Sequence, residues 1–194
     1  MNYLEMVATA LKEGKIVFLP TETVYGVAII SGNQEAYSSL IELKRRPKEK
    51  NFPLAVNSFN QIEELCELDD NQRKIIRSFL PGPLTCVLKL KNPDAAYFGD
   101  KDTVAIRYSS DNLLNNLIRL VGKPLFLTSA NLSGKPPFKK AEEAQKVFKD
   151  QVAYYIEGMI NYNKASTIVD LTGPKPTILR EGPITLEEIE RKLK

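Results

Sequence analysis

Apolar positions along this chain switch repeatedly between helical and extended spacing, and the switches predict its elements. Leu4, Val7, Ala8 and Leu11 fall three and four apart, one stripe of a helix, with Gly14 where a left-handed cap would end it. Ile16 to Leu19 is a short extended run stopped by Pro20, and Val24 to Ile30 reads as a second strand after the polar Thr21-Glu22-Thr23. Ala36, Tyr37, Leu40, Ile41 and Lys44 return to helical spacing, so the Lys44 to Arg46 cluster falls at a helix C-terminus before Pro47. Leu54 to Val56 predicts a strand, Ser58 with Gln61 a capping box for a helix through Cys66, and Asp70 to Phe79 another helix.

Leu84 to Leu90 follows the Pro81-Gly82-Pro83 break as a strand, and Thr103 to Arg107 is a further strand. Leu113, Leu114, Leu117, Ile118 and Val121 form a helical stripe closed by Gly122, after which Leu125 to Leu127 runs into Thr128-Ser129-Ala130-Asn131. Ala141 to Phe148 predicts a helix. Val152 to Ile156, Thr167 to Asp170 and Thr177 to Leu179 read as extended, and Thr185 with Glu188 caps a final helix. Strands and helices mix without strict alternation, which predicts an α+β (mixed α/β) fold, a layered mixed sheet rather than a doubly wound parallel one.

Composition narrows the chemistry. The 194 residues, 43% apolar, suit one domain over 1–194 with a substantial core. A net charge of +3 is too small for a protein coated in polyanion, so any anion site must be local. The start of the chain lacks the pattern of a secretory leader and no apolar run approaches a membrane span, so the expectation is a soluble cytoplasmic protein without membrane partners. Cys66 and Cys86 form no paired motif, which predicts reduced thiols and no zinc site. The chain has no histidine at all. The commonest proton-transfer residue is missing, and chemistry here must rest on positioning and fixed positive charge.

The polar motifs sit where strands should end. Lys44, Arg45, Arg46, Lys48 and Lys50 crowd one short window, a pattern that suits phosphate oxygens and equally a solvated helix end. Thr128-Ser129-Ala130-Asn131 offers small hydroxyls and open amides to a ligand, or makes an ordinary turn. Neither a P-loop string nor a Rossmann glycine motif occurs, and no nucleophile elbow is present. A small-ligand pocket and a basic RNA-binding concavity both fit these fragments taken singly. The clustering of hydroxyl and Asn motifs at strand ends favours the pocket.

Read in order, Pro20-Thr21-Glu22-Thr23-Val24-Tyr25-Gly26, Lys44-Arg45-Arg46-Pro47, Pro81-Gly82-Pro83-Leu84-Thr85, Val104-Ala105-Ile106-Arg107, Thr128 to Gly134, Ser166 to Asp170 and Leu179-Arg180-Glu181-Gly182 resemble the YrdC-type threonylcarbamoyl-AMP synthases over residues 14 to 182. The resemblance implies a three-layer fold with a twisted mixed sheet, helices on its flanks and a basic concave cavity. There ATP with Mg²⁺, L-threonine and bicarbonate would combine into threonylcarbamoyl-AMP and pyrophosphate. The product would pass to a tRNA threonylcarbamoyl transferase complex acting at adenosine 37, and direct binding of tRNA or double-stranded RNA is a further expectation. By matching position, Lys44 and Arg46 would be catalytic. Lys44, Arg46, Lys50, Thr85, Ser129, Asn131 and Arg180 would bind ATP, and Thr23, Asn57, Arg107 and Ser166 would bind threonine. Many relatives carry a histidine where this chain has Asn57, and the spacing from Arg46 to Pro53 is longer here. The short distance from Arg180 to the last residue implies the single-domain form of the family.

Overall fold

The structure is a computed structural model that describes residues 2–45, 51–92 and 102–194. Seven α-helices are seen among these residues: α1 (Tyr3–Lys12), α2 (Gln34–Lys44), α3 (Phe59–Leu65), α4 (Asp70–Phe79), α5 (Asn112–Val121), α6 (Ala141–Phe148) and α7 (Leu186–Arg191). The strands are β1 (Val17–Leu19), β2 (Gly26–Ile30), β3 (Leu54–Val56), β4 (Leu84–Lys89), β5 (Thr103–Tyr108), β6 (Leu125–Ser129), β7 (Tyr154–Tyr155), β8 (Thr167–Asp170) and β9 (Thr177–Arg180). They form one mixed sheet in the order β7-β1-β2-β6-β3-β5-β4-β8-β9. Parallel pairs join β7 to β1, β3 to β5 and β4 to β8; the other neighbours are antiparallel.

The predicted elements are present, with small shifts that have local causes. Gln61 does not close a capping box on Ser58. Its side-chain oxygen instead accepts from the Asn57 N–H at 2.9 Å, one residue earlier, while Ser58 accepts from the Gln61 N–H at 3.2 Å. The box predicted at Thr185 and Glu188 does close. Strand β6 extends through Thr128 and Ser129, since both pair with β2, and so the hydroxyl motif belongs to the ladder itself.

The two sheet faces are covered unequally. One face carries Phe18, Val27, Ile29, Leu54, Ile106, Phe126, Cys86 and Val169, packed beneath α2, α3, α4, α6 and α7. The other carries Val17, Leu19, Ala28, Ala55, Leu125 and Leu127, covered among the described helices by α1 and α5. Because side chains alternate along a strand, Arg107 and Ala105 on β5, Thr85 on β4 and Ile168 on β8 share that second face. The two helices bury their stripes over β1, β2, β6 and β3 and stop there. Beyond them the sheet face over β5, β4 and β8 opens into the cavity described next.

Candidate active site

The cavity holds about 180 Å³, and the described residues around it include Asn51 and Pro53 before β3, Thr85, Arg107, Ser129, Ser166 and Arg180. Its wall is built from three polar groups, each tied to a different part of the sheet.

The first surrounds Arg107. Between β1 and β2 the chain makes a hydroxyl turn: Thr21 Oγ1 accepts from the N–H groups of Thr23 and Val24 and donates to the Val24 carbonyl at 2.6 Å. The Arg107 guanidinium donates to both Thr21 and Thr23 hydroxyls, and lies 3.2 Å from the Glu22 carboxylate. Ser109 donates to the same carboxylate oxygen. Thr21, Glu22, Thr23, Arg107 and Ser109 are all buried. Paired charges and shared hydroxyls make that burial tolerable and hold the guanidinium in one orientation. Asp111 caps α5 just behind, and burial holds its carboxyl above the usual range.

The second group crosses β4, β8 and β9. Thr85 and Ser166 hydroxyls meet at 2.9 Å. Arg180 donates through Nε (3.1 Å) and NH2 (2.8 Å) to the Ser166 carbonyl, and through NH2 to the Ser166 hydroxyl at 3.1 Å. The third lies at the end of α2. Lys44, only 1% exposed, donates to the Ser129 carbonyl and, at 2.6 Å, to Asn131 Oδ1, which also accepts from Ser129 Oγ at 2.8 Å. Asn131 in turn donates to the Lys135 carbonyl, and the Ser133 N–H bonds the Lys44 carbonyl at 2.9 Å. The Thr128 to Gly134 segment is thereby pinned to the helix that presents the lysine.

Most of the residues that sequence matching nominated are brought together. Thr85, Ser129, Ser166, Arg107 and Arg180 line the cavity, while Thr23, Lys44 and Asn131 bond directly to lining residues. Asn57 is not brought to it. Its amide donates to the Asn115 carbonyl of α5 at 3.2 Å, so the side chain ties β3 to α5. Arg46 and Lys50 lie outside the described residues. Glu22 and Ser109 were not nominated. Glu22 stood within the polar turn after Pro20, but its pairing with an arginine 85 positions later leaves no local signal.

Two arginines and a row of hydroxyls around one small cavity, with a buried lysine bonded to its wall, are the kind of groups that suit compact anionic ligands. A family model described as "Telomere recombination", that of Sua5, YciO and YrdC, matches residues 9–182, and the chain belongs to this family. A putative threonylcarbamoyl-AMP synthase from Mycobacterium tuberculosis is 37% identical over 188 residues, covering 95% of this chain and 86% of its own length. A threonylcarbamoyl-AMP synthase from Photobacterium profundum is 33% identical over 186 residues, 94% of this chain and all of that protein. The crystal structure of Pyrococcus abyssi Sua5 complexed with L-threonine matches with a TM-score of 0.91 at 34% identity, covering 98% of this chain and 57% of that one.

Proposed function

We propose that the protein is a threonylcarbamoyl-AMP synthase, an enzyme that condenses L-threonine, bicarbonate and ATP. The observation that supports this reading best is the junction of the Arg107–Thr23 group and the Thr85–Ser166–Arg180 group across one cavity. One cationic pole suits an amino-acid carboxylate and the other suits phosphate oxygens. In the reaction, the threonine amine adds to bicarbonate with loss of water to give a carbamate. A carbamate oxygen then bonds to the α-phosphorus of ATP as the bond to the bridging oxygen breaks and pyrophosphate leaves.

The residues have defined work in that scheme. Arg107, held by Glu22, Thr21 and Thr23, receives the threonine carboxylate, and Thr23 and Ser166 border the amino acid. Arg180, Thr85, Ser129 and Asn131 hold the nucleotide. Lys44, with Arg46 and Lys50 from the same basic window, neutralises charge that builds on the phosphates. The carbamate is already an anion, so alignment and charge neutralisation suffice where no histidine is available. Among the described residues no cluster of acidic, histidine or cysteine side chains could hold a metal. We assign Mg²⁺ to the MgATP substrate, carried by its phosphates.

The product is a reactive mixed anhydride, and its consumer would be the transferase that modifies adenosine 37 of tRNA in the cytoplasm. No helix among the described residues is long and apolar enough to cross a membrane. Pyrophosphate release from MgATP, with and without L-threonine and bicarbonate and with serine as control, tests the reading. Release that requires both threonine and bicarbonate is expected; release indifferent to them, or none from folded protein, overturns it.

A further inference from the structure

Arg180 reaches the cavity from β9, and a regular strand would not have aimed it there. The β8–β9 ladder pairs Asp170 with Thr177 and Val169 with Ile178. Continued without interruption, it would set Leu179 opposite Ile168, a residue whose side chain lines the cavity. The leucine would then face the site and the arginine would turn to the opposite face. Instead Ile168 pairs with Arg180, and the register shifts by one residue at Leu179. The side chains agree with this shift. Ile178 packs against the core beneath the other face, Leu179 is 58% exposed, and Arg180 lines the cavity against Ser166.

The chain beyond Arg180 is held just as closely. A Cβ at Gly182 would lie 2.1 Å from the Thr167 nitrogen and 2.5 Å from the Ser166 carbonyl carbon, so only glycine lets this segment lie against the cavity wall. The Thr167 hydroxyl donates to the Ile184 carbonyl at 2.6 Å and accepts from the Ile184 N–H at 2.9 Å. Arg180 thus stands between a bulge on one side and a glycine contact with a two-way hydroxyl clamp on the other.

We propose that the Leu179 bulge, with Gly182, Thr167 and Ile184, is the positioning device of the nucleotide side of the cavity: the bulge selects the face on which Arg180 stands, and the clamp presses it onto Ser166. None of these four is a catalytic residue; each acts through Arg180. This rests on the assignment of Arg180 to the nucleotide made above.

The aim and its consequence are tested separately. Directly opposed residues on neighbouring antiparallel strands have Cα atoms about 4.5–5.5 Å apart, within disulfide reach. The double variant Ile168→Cys with Arg180→Cys is expected to cross-link on mild oxidation, and Ile168→Cys with Leu179→Cys is not. The native thiols are buried and stay silent. Cross-linking through position 179 in place of 180 overturns the proposal without any reference to ATP. For the consequence, Leu179→Arg combined with Arg180→Leu keeps composition and charge but exchanges the faces. This variant and Arg180→Ala are each expected to raise KM for ATP about tenfold or more, while KM for threonine stays within about twofold. An exchanged variant with unchanged KM for ATP beside an impaired Arg180→Ala overturns the positioning role. A normal Arg180→Ala instead overturns the assignment of the arginine to the nucleotide, and the disulfide result still decides its aim.

Discussion

Lys44 illustrates how burial changes what a charged residue means. In the sequence it was one of several cations in a basic window; in the structure its ammonium is sealed against the Ser129 carbonyl and Asn131. A lysine this enclosed is held in one place, as a residue meeting a triphosphate must be. Lys44→Met, which keeps the apolar stem, is expected to lower the rate of threonine-dependent pyrophosphate release by ~10²-fold. Glu22 makes the converse case. Among the described residues its carboxylate meets the site through Arg107 and Ser109, and Glu22→Gln removes the counter-charge beside the buried guanidinium. A loss of about 3–5 kcal/mol is expected, read from the shift in urea midpoint. A midpoint within error of the parent would mean that Thr21 and Thr23 hold Arg107 unaided. The thiols are opposite in character: burial pushes Cys66 and Cys86 each up to about 12, so neither is a nucleophile at neutral pH.

At the scale of elements, division of labour follows from which face each helix covers. Leu114, Leu117, Ile118 and Val121 of α5 are packed with Val7, Ala8 and Leu11 of α1 over one half of a sheet face, and the half left uncovered is the cavity floor. Leu117→Ala should therefore cost about 2–5 kcal/mol in stability while leaving KM for ATP and threonine unchanged at temperatures well below Tm. Calorimetry and steady-state kinetics on one preparation check both halves of that statement. Elements of this kind were legible in advance. The α5 stripe, its Gly122 terminus and the strand at Leu125 follow from spacing and turn chemistry alone. The capping of α3 was not, because Gln61 could reach either of two adjacent N–H groups, and it bonds that of Asn57. The bulge at Leu179 was equally hidden, since register belongs to a pair of strands and not to either one.

For the whole molecule, the two thiols give a linkage that can be measured. Both are protonated in the folded state at pH values where unfolded cysteines, with a reference value of 9.0, ionise. The unfolded chain then binds fewer protons than the native one, so stability is unaffected below about pH 9 and falls as pH rises towards about 12. The slope attributable to each thiol approaches about 1.4 kcal/mol per pH unit within that window. Urea titrations at a series of alkaline pH values should show the decline, and the Cys66→Ala and Cys86→Ala variants should each flatten it; an unchanged slope in both would assign the decline to other groups.

What the sequence determined by itself was local: the positions of helices and strands, the absence of histidine, and a series of short motifs whose order and spacing pointed to one family. Those features follow from periodicity, caps and turns, which act over a few residues. Tertiary structure alone decided that β6 lies between β2 and β3 and that β4 lies between β5 and β8. It brought Thr85 to Ser166, Arg107 to Glu22 and Lys44 to Asn131, carried Asn57 to α5, and turned Arg180 rather than Leu179 into the cavity. These outcomes join residues far apart in the chain, and they are fixed by which sheet face is buried and which is left open.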